Sequence, residues 1–253
     1  MTLSKFSKII LLTSFLLLFT GVSSLFAQAS LKATQIKSKK VKTAYTEKWP
    51  QMKKLLEDKK IDPANYEVLI RAFKQEKKLE IWVKNKASIQ YTHLIDYDIC
   101  ESSGELGPKR QEGDGQVPEG FYSIDLFNPT SSYYLSMRVN YPNQADAKKG
   151  KKPLGGAIMI HGNCVTIGCI PITDDKIKEL YILCLESKAA GNNVKVDSFP
   201  CKLTDDNMKK LEASYSKDLI VFWKNLKTGY DLFEKNKSKF SVSVDAKGNY
   251  VFK

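Results

Sequence analysis

Ile158-Met-Ile-His161-Gly-Asn-Cys164-Val-Thr-Ile-Gly168-Cys169-Ile-Pro171 is the stretch on which the reading of this chain turns. A short apolar run ends at a histidine, a loop of small and polar residues follows, and the loop closes on Gly-Cys-Ile-Pro. Such a run, bounded by glycine, predicts a strand over 156–160 that delivers His161 to a strand end. The chain holds only two histidines, so one placed beside two cysteines at a strand-to-loop junction marks a chemical site. A thiol attacks carbonyl carbon as its thiolate, and it needs a base or a positive neighbour to reach that form. Cys169 is therefore the candidate nucleophile and His161 the candidate base. Gly168 permits a tight backbone path close to a substrate. The amide N–H groups of Gly168 and Cys169 are candidate oxyanion-hole donors. Asn163 and Thr166 are the polar residues at hand to orient the imidazole or to contact substrate.

Outward from this stretch the middle of the chain reads as β. Leu79, Ile81 and Val83 alternate with polar residues, Lys84-Asn85-Lys86 makes a turn, and a second β-rich run covers 88–100, together a hairpin. Residues 121–126, 133–139 and 194–199 are further strands, and 104–120, rich in glycine, proline and charge, is a long connection. Helices flank this region. Thr173 caps one, with Asp174 and Asp175 in its first turn and Ile177, Leu180, Tyr181 and Cys184 as its apolar stripe. Residues 205–214 and 219–233 are helical, and 241–252 closes the chain as a hairpin. Before residue 76, Trp49–Asp58 reads as a short helix. Asp62-Pro63 opens another that runs to Gln75 on the spacing Tyr66, Leu69, Ile70, Phe73. Residues 30–42, rich in Lys, Ser and Thr, read as a flexible lead-in.

The first residues carry an address. Lys5 and Lys8 precede an apolar run, and Ala27-Gln-Ala29 is a small-x-small site that predicts cleavage before Ser30. A retained leader would tether the chain, because 9–27 is nearly long enough to span a bilayer. The formal net charge of +12 raises nucleic acid as a partner. Export argues against that and favours polyanionic or carboxylate-bearing material outside the cytoplasm. Five cysteines leave at least one thiol free in an oxidising compartment. Cys184 reads as a buried small hydrophobe, and the pairing of the others is not legible.

His161-Gly-Asn-Cys-Val-Thr-Ile-Gly-Cys169 resembles the active site of the YkuD family of L,D-transpeptidases, in its YafK-like subgroup. Further segments agree in order: Phe73-Lys-Gln-Glu76, Leu79-Glu-Ile-Trp82, Leu106-Gly-Pro-Lys-Arg110, Glu112-Gly-Asp114, Val117-Pro-Glu-Gly-Phe-Tyr122, Tyr141-Pro-Asn143, Phe222-Trp-Lys-Asn-Leu226 and Gly229-Tyr-Asp231. The likeness runs from about residue 66 to the C-terminus. Two features separate the subgroup from many members: Ile167 stands where they carry a second histidine, and the step from base to nucleophile is short.

The resemblance implies an α+β fold with a mixed β-sandwich catalytic core and flanking helices. It divides the chain into a leader (1–29), a lead-in with a helical extension (30–75), a catalytic domain (76–200) and C-terminal helices with a hairpin (201–253). It implies a periplasmic or envelope enzyme acting on peptidoglycan stem peptides through a thioester on Cys169. His161 is the base and Gly162 lies where members orient the ring. An amine resolving the thioester gives a cross-link and water gives hydrolysis; the subgroup is associated with an amidase that releases proteins attached to diaminopimelate, which adds a wall-attached protein to the partners. No cofactor is implied. A non-catalytic wall-binding module is the alternative. Lys109 and Arg110 are candidates to hold a substrate carboxylate, since arginine's fork suits that group. A zinc site from His161, Cys164 and Cys169 matches no common ligand spacing, and no metal is expected.

Overall fold

In the computed structural model, which describes residues 31–253, the strands are β1 (Tyr66–Phe73), β2 (Lys78–Asn85), β3 (Thr92–Asp98), β4 (Gly120–Asn128), β5 (Ser136–Val139), β6 (Met159–His161), β7 (Ile170–Pro171) and β8 (Val194–Phe199). They form one mixed sheet in the order β3-β2-β1-β8-β4-β5-β6-β7, in which β1–β8 and β6–β7 are parallel. The leader expected over 1–29 lies outside the described residues. No helix among the described residues is long and apolar enough to cross a membrane.

The sheet curls until its two edges meet. Cys100, just past β3, donates its N–H to the Pro171 carbonyl of β7 at 3.1 Å, and its sulfur is bonded to Cys164. Joining the edges at this point protects strand groups that an open edge would leave unpaired. It also fixes the loop between β6 and β7, which carries the candidate site.

The concave side of the sheet is filled by helix α3 (Asp174–Ala189), whose Ile177, Leu180, Tyr181 and Cys184 are fully buried against Val68, Ile70, Ile81, Ile160 and Val196. Its predicted cap is in place: Thr173 accepts the Lys176 N–H, with Asp174 and Asp175 in the positive first turn. Helix α1 (Lys39–Asp58) lies across α3, tied by Lys48–Asp175 at 2.6 Å, Lys178–Glu47 at 2.6 Å and the Tyr45 hydroxyl to Glu186 at 2.7 Å. The short α2 (Gln144–Lys149) is closed by an Asn143–Asp146 capping box. On the other face of the sheet sit α4 (Asp205–Ser214), α5 (Lys217–Asn236) and the β9 (Val242–Val244)–β10 (Tyr250–Phe252) hairpin. Trp223, Leu226 and Tyr230 pack there with Phe73 and Phe199. The Trp223 indole N–H donates to Glu119 at 2.7 Å, which satisfies both buried groups.

Two expectations fail in the N-terminal quarter. The helix predicted from Asp62 to Gln75 is strand β1, and all eight of its residues are buried. Helices cover both faces of the sheet at this point, so β1 is buried on both sides; its apolar residues fall on both faces, with Glu67 and Arg71 buried as ion pairs, and such a pattern satisfies a helical stripe as well as a doubly buried strand. Asp62-Pro63 instead opens a turn in which the Asp62 carboxylate accepts the Ala64 N–H at 2.9 Å. β1 is central to the sheet, so the boundary drawn at residue 76 falls inside one continuous layer. The lead-in is also ordered: residues 31–35 are helical and α1 begins at Lys39, ten residues before the predicted start. Its lysines are solvated on one side while Val41 and Ala44 are fully buried on the other. Pro50, the second residue of the helix expected over Trp49–Asp58, lies well inside α1.

Candidate active site

β6 and β7 run parallel, with Ile160 opposite Ile170 and His161 opposite Pro171. In-register residues point to the same face and residues two apart share a face. The side chains of His161 and Cys169 therefore project from one side of this strand pair, offset by about 6.6 Å along it. The fold thus sets the two residues singled out first on adjoining parallel segments, one at the end of β6 and the other directly before β7.

His161 is 1% exposed. Its Nδ1 lies 2.5 Å from the carbonyl oxygen of Gly162. A carbonyl only accepts, so Nδ1 carries the proton and Nε2 presents the lone pair. Burial pulls the imidazole below its ordinary value, against the Gly162 carbonyl, which favours the charged form. Residue 162 has to be glycine: a Cβ there would sit 2.5 Å from Asp174 Oδ1 and 2.9 Å from the Tyr133 carbonyl. The Tyr133 ring lies over the imidazole with centroids 4.7 Å apart.

Cys169 is half-buried at the rim of a cavity of about 210 Å³ whose wall includes Lys74, Ser102, Ser103, Leu106 and Val117. Its sulfur accepts the Met159 N–H at 3.4 Å, and the S–H points to the Ala157 carbonyl at 3.7 Å. Burial pushes the thiol up, opposed by the Met159 N–H and by the charge of Lys109. In this arrangement the hydrogen bonds of the thiol go to the backbone of Met159 in β6 and of Ala157 just before it, and that of the imidazole goes to Gly162.

The remaining predicted residues divide. Thr166 does not orient the imidazole. Its hydroxyl oxygen accepts the N–H groups of Gly168 (3.2 Å) and Cys169 (2.8 Å), and its O–H donates to the Cys169 carbonyl at 2.9 Å. The two amides assigned to an oxyanion hole are thus occupied by a side chain within the loop. Gly168 adopts φ +130°, with the Gln116 carbonyl 3.2 Å from where a Cβ would be, so the backbone path there suits glycine. Asn163 is taken up by its own turn: its side-chain oxygen accepts the Cys164 N–H at 2.7 Å, and its N–H donates to Asp174 at 2.8 Å. Lys109 is buried rather than free for a substrate, donating to Asp114 at 2.6 Å and to the Gln111 carbonyl at 2.8 Å. Against burial, which raises it, Lys109 and three backbone N–H groups hold the Asp114 carboxyl low. Arg110 stacks on Phe222 at 5.1 Å, has no carboxylate within ion-pair distance among the described residues, and lies outside the wall of the Cys169 cavity.

The cysteines sort cleanly. Cys100 and Cys164 are joined, so Cys164 is unavailable to the zinc set considered above. Cys184 is fully buried, and burial pushes its thiol far up. Among the described residues no cluster of three or more His, Cys, Asp or Glu could hold a metal. His93 is exposed and paired with Asp96 at 2.6 Å.

Two residues escaped the sequence reading. Asp174, read only as a helix-capping acid, anchors the histidine turn through the Asn163 N–H. Tyr133, read as the first residue of the strand expected over 133–139, is 44% exposed and covers His161. No local pattern announces either, because each acts across the fold.

Comparison with known proteins identifies the family. The family profile described as the L,D-transpeptidase catalytic domain, YkuD, matches residues 67–196, a span holding both His161 and Cys169. The protein named "Putative L,D-transpeptidase YafK" of Escherichia coli strain K12 is 41% identical over 187 residues, which cover 73% of this chain and 73% of that protein. Its counterpart in Escherichia coli O157:H7 aligns equally. Among solved structures, the helical cell shape determining protein Pgp2 from Campylobacter jejuni aligns over 71% of this chain and 73% of its own, at 19% identity and a TM-score of 0.45.

Proposed function

Because the chain belongs to the YkuD family of L,D-transpeptidase catalytic domains, we propose that it is an envelope enzyme whose Cys169 sulfur attacks an amide carbonyl of a peptidoglycan stem peptide. The observation that carries this reading is the shared face of His161 and Cys169, with the imidazole tautomer set by Gly162 so that Nε2 is the free base. The thiol is raised and the imidazole lowered, so at neutral pH both rest uncharged. The proton then moves as the sulfur attacks: the S–H leaves the Ala157 carbonyl and passes to Nε2, and the C–S bond forms. Collapse of the tetrahedral intermediate breaks the C–N bond, and the departing amine takes the proton from Nε2. The thioester that remains is opened by a second amine, which makes a cross-link, or by water, which makes a free carboxylate. Either nucleophile gives its proton to His161, and the thiol is restored.

The amides of Gly168 and Cys169 would receive the oxyanion by displacing the Thr166 hydroxyl. That exchange replaces a neutral acceptor with a charged one, and hydrogen bonds to charged groups are the stronger kind. Arg110, which lacks an internal carboxylate partner, remains the candidate for a carboxylate of a long substrate. The test is incubation of purified sacculi with the wild type and with Cys169→Ala, followed by separation of the muropeptides. Cross-links gained by the wild type alone identify transfer. Cross-links lost, or wall-attached protein released, identify hydrolysis. Identical profiles for the two proteins would sink the catalytic reading and leave a wall-binding module.

A further inference from the structure

A second cavity, of about 270 Å³, lies on the opposite face of the sheet and shares no lining residue with the one at Cys169. Its floor is β8 with the adjoining parts of β1 and β4, and its roof is the segment between α5 and β9. The roof is fastened: the Tyr91 N–H donates to the Lys237 carbonyl at 2.7 Å, and the Lys239 N–H donates to the Ile89 carbonyl at 3.0 Å. The cavity is therefore built from two layers of the fold rather than from a loose loop.

Its charges are arranged unusually. Asp197 and Lys195 stand two residues apart on β8, so they share a face, about 6.6 Å apart along the strand. Asp197 is 5% exposed, yet among the described residues its carboxylate has no cation within 4 Å and no hydrogen-bond donor. Arg71, its register neighbour on β1, gives Nη1 to Glu234 at 2.6 Å instead. Burial pushes the Asp197 carboxyl up to about 6, against the pull of Arg71 and Lys195. Lys195 has only the Phe240 carbonyl, at 3.3 Å, and no carboxylate within 4 Å. The Tyr91 hydroxyl, on the same wall, is buried beside the Glu67 carboxylate without a well-formed hydrogen bond. Its charged neighbour Glu67 is already held by Lys84 and Lys239. An unpaired buried charge is costly unless something meets it. Here the buried Asp197 and the half-buried Lys195, together with that hydroxyl, face one small space walled by Leu69, Phe121, Phe233 and Phe240.

We propose that this cavity is a binding site for an α-amino-acid zwitterion with an apolar side chain. Its ammonium faces the Asp197 carboxylate, its carboxylate faces Lys195 and the Tyr91 hydroxyl, and its side chain lies against the phenylalanine wall. Aromatic faces around an ammonium add attraction to the ion pair. The volume falls just below the usual range for drug-sized ligands, which suits a single residue and excludes a long peptide. The site is independent of the chemistry at Cys169.

The test is calorimetric titration of the full chain with leucine in its L- and D-forms, beside two truncated analogues: leucinamide, which lacks the carboxylate, and 4-methylpentanoate, which lacks the amine. Saturable binding of leucine is expected, weakened at least tenfold in both analogues. Asp197→Asn and Lys195→Met should each weaken leucine binding by a similar factor without lowering the melting temperature of the free protein, since each removes an uncompensated charge. Val242→Trp, which fills the cavity and leaves both charges, should abolish it. Cys169→Ala should bind as the wild type does. The proposal is overturned by absence of saturable leucine binding, by equal binding of either analogue, or by binding that survives Val242→Trp or is lost in Cys169→Ala.

Discussion

The two halves of the sheet are built on different terms. In the β2–β1–β8 half the strands are long; β1 and β2 pair over all eight residues, from Tyr66–Asn85 to Phe73–Lys78. In the β5–β6–β7 half, β6 has three residues and β7 two. The long half holds itself by its ladder and by burial on both faces. The short half is held by single devices: the Cys100–Cys164 bond, the Thr166 hydroxyl and the Asp174 carboxylate. The candidate chemistry lies in the short half. A strand that stops early leaves backbone N–H and C=O groups free to meet a sulfur, an imidazole or a substrate, and separate fasteners then have to supply the rigidity that a ladder would give.

That contrast can be broken at several points. The largest effect is expected at the chemistry itself. Cys169→Ala should reduce turnover to background with no change in melting temperature, and His161→Gln should reduce it by roughly 10²–10⁴-fold. The acid limb of the wild-type rate profile should lie below 6.5, the ordinary histidine value. Burial disfavours the charged imidazole, so activity is lost only as pH falls through this lowered pKa. A limb above 6.5 would contradict the burial seen for His161.

Next in size is the fastener between the sheet edges. Replacing both Cys100 and Cys164 with serine opens a link across a sequence separation of 64. Chain-entropy arithmetic puts the cost at about 4 kcal/mol, roughly a 10 °C fall in melting temperature for a chain of this size. Thermal melting of the double variant against wild type measures it. A fall of a degree or two would mean that the short half does not depend on the bond.

In the long half, Ile70→Ala removes a fully buried side chain and should cost about 3 kcal/mol in denaturant unfolding. Turnover of the folded fraction should change less than twofold, because stability and chemistry are housed apart. Smallest in stability is Thr166→Val, which loses about 1 kcal/mol of hydrogen bonding but should slow turnover about tenfold by loosening the loop that presents the nucleophile. The two variants should thus invert one another. Equal effects on melting and on rate in both would erase the distinction between the halves.

Patterns with a local cause were legible without coordinates. Alternation placed β2, β-rich composition placed β3 and β8, the Thr173 cap began α3 where predicted, and the glycines of 161–169 announced a tight loop. β1 was misread because burial on both faces removes the alternation that distinguishes strand from helix. The lead-in was misread because a lysine-rich helix face has the composition of a flexible tail until something covers its other side. Lys109 and Arg110 looked equivalent as neighbouring cations. One is buried against Asp114 and the other lies on Phe222, a residue more than a hundred positions away.

Sequence alone determined the family and singled out His161 and Cys169 as the candidate pair, because both lie, with their glycines, at fixed spacing within one short segment. Tertiary structure alone decided the partner of Cys164, the Tyr133 ring over the imidazole, the Asp174 anchor and the Asp197–Lys195 cavity. Each of those depends on contacts between segments far apart in the chain. Such contacts form only when the curled sheet has brought its edges and faces together, and no local spacing records them.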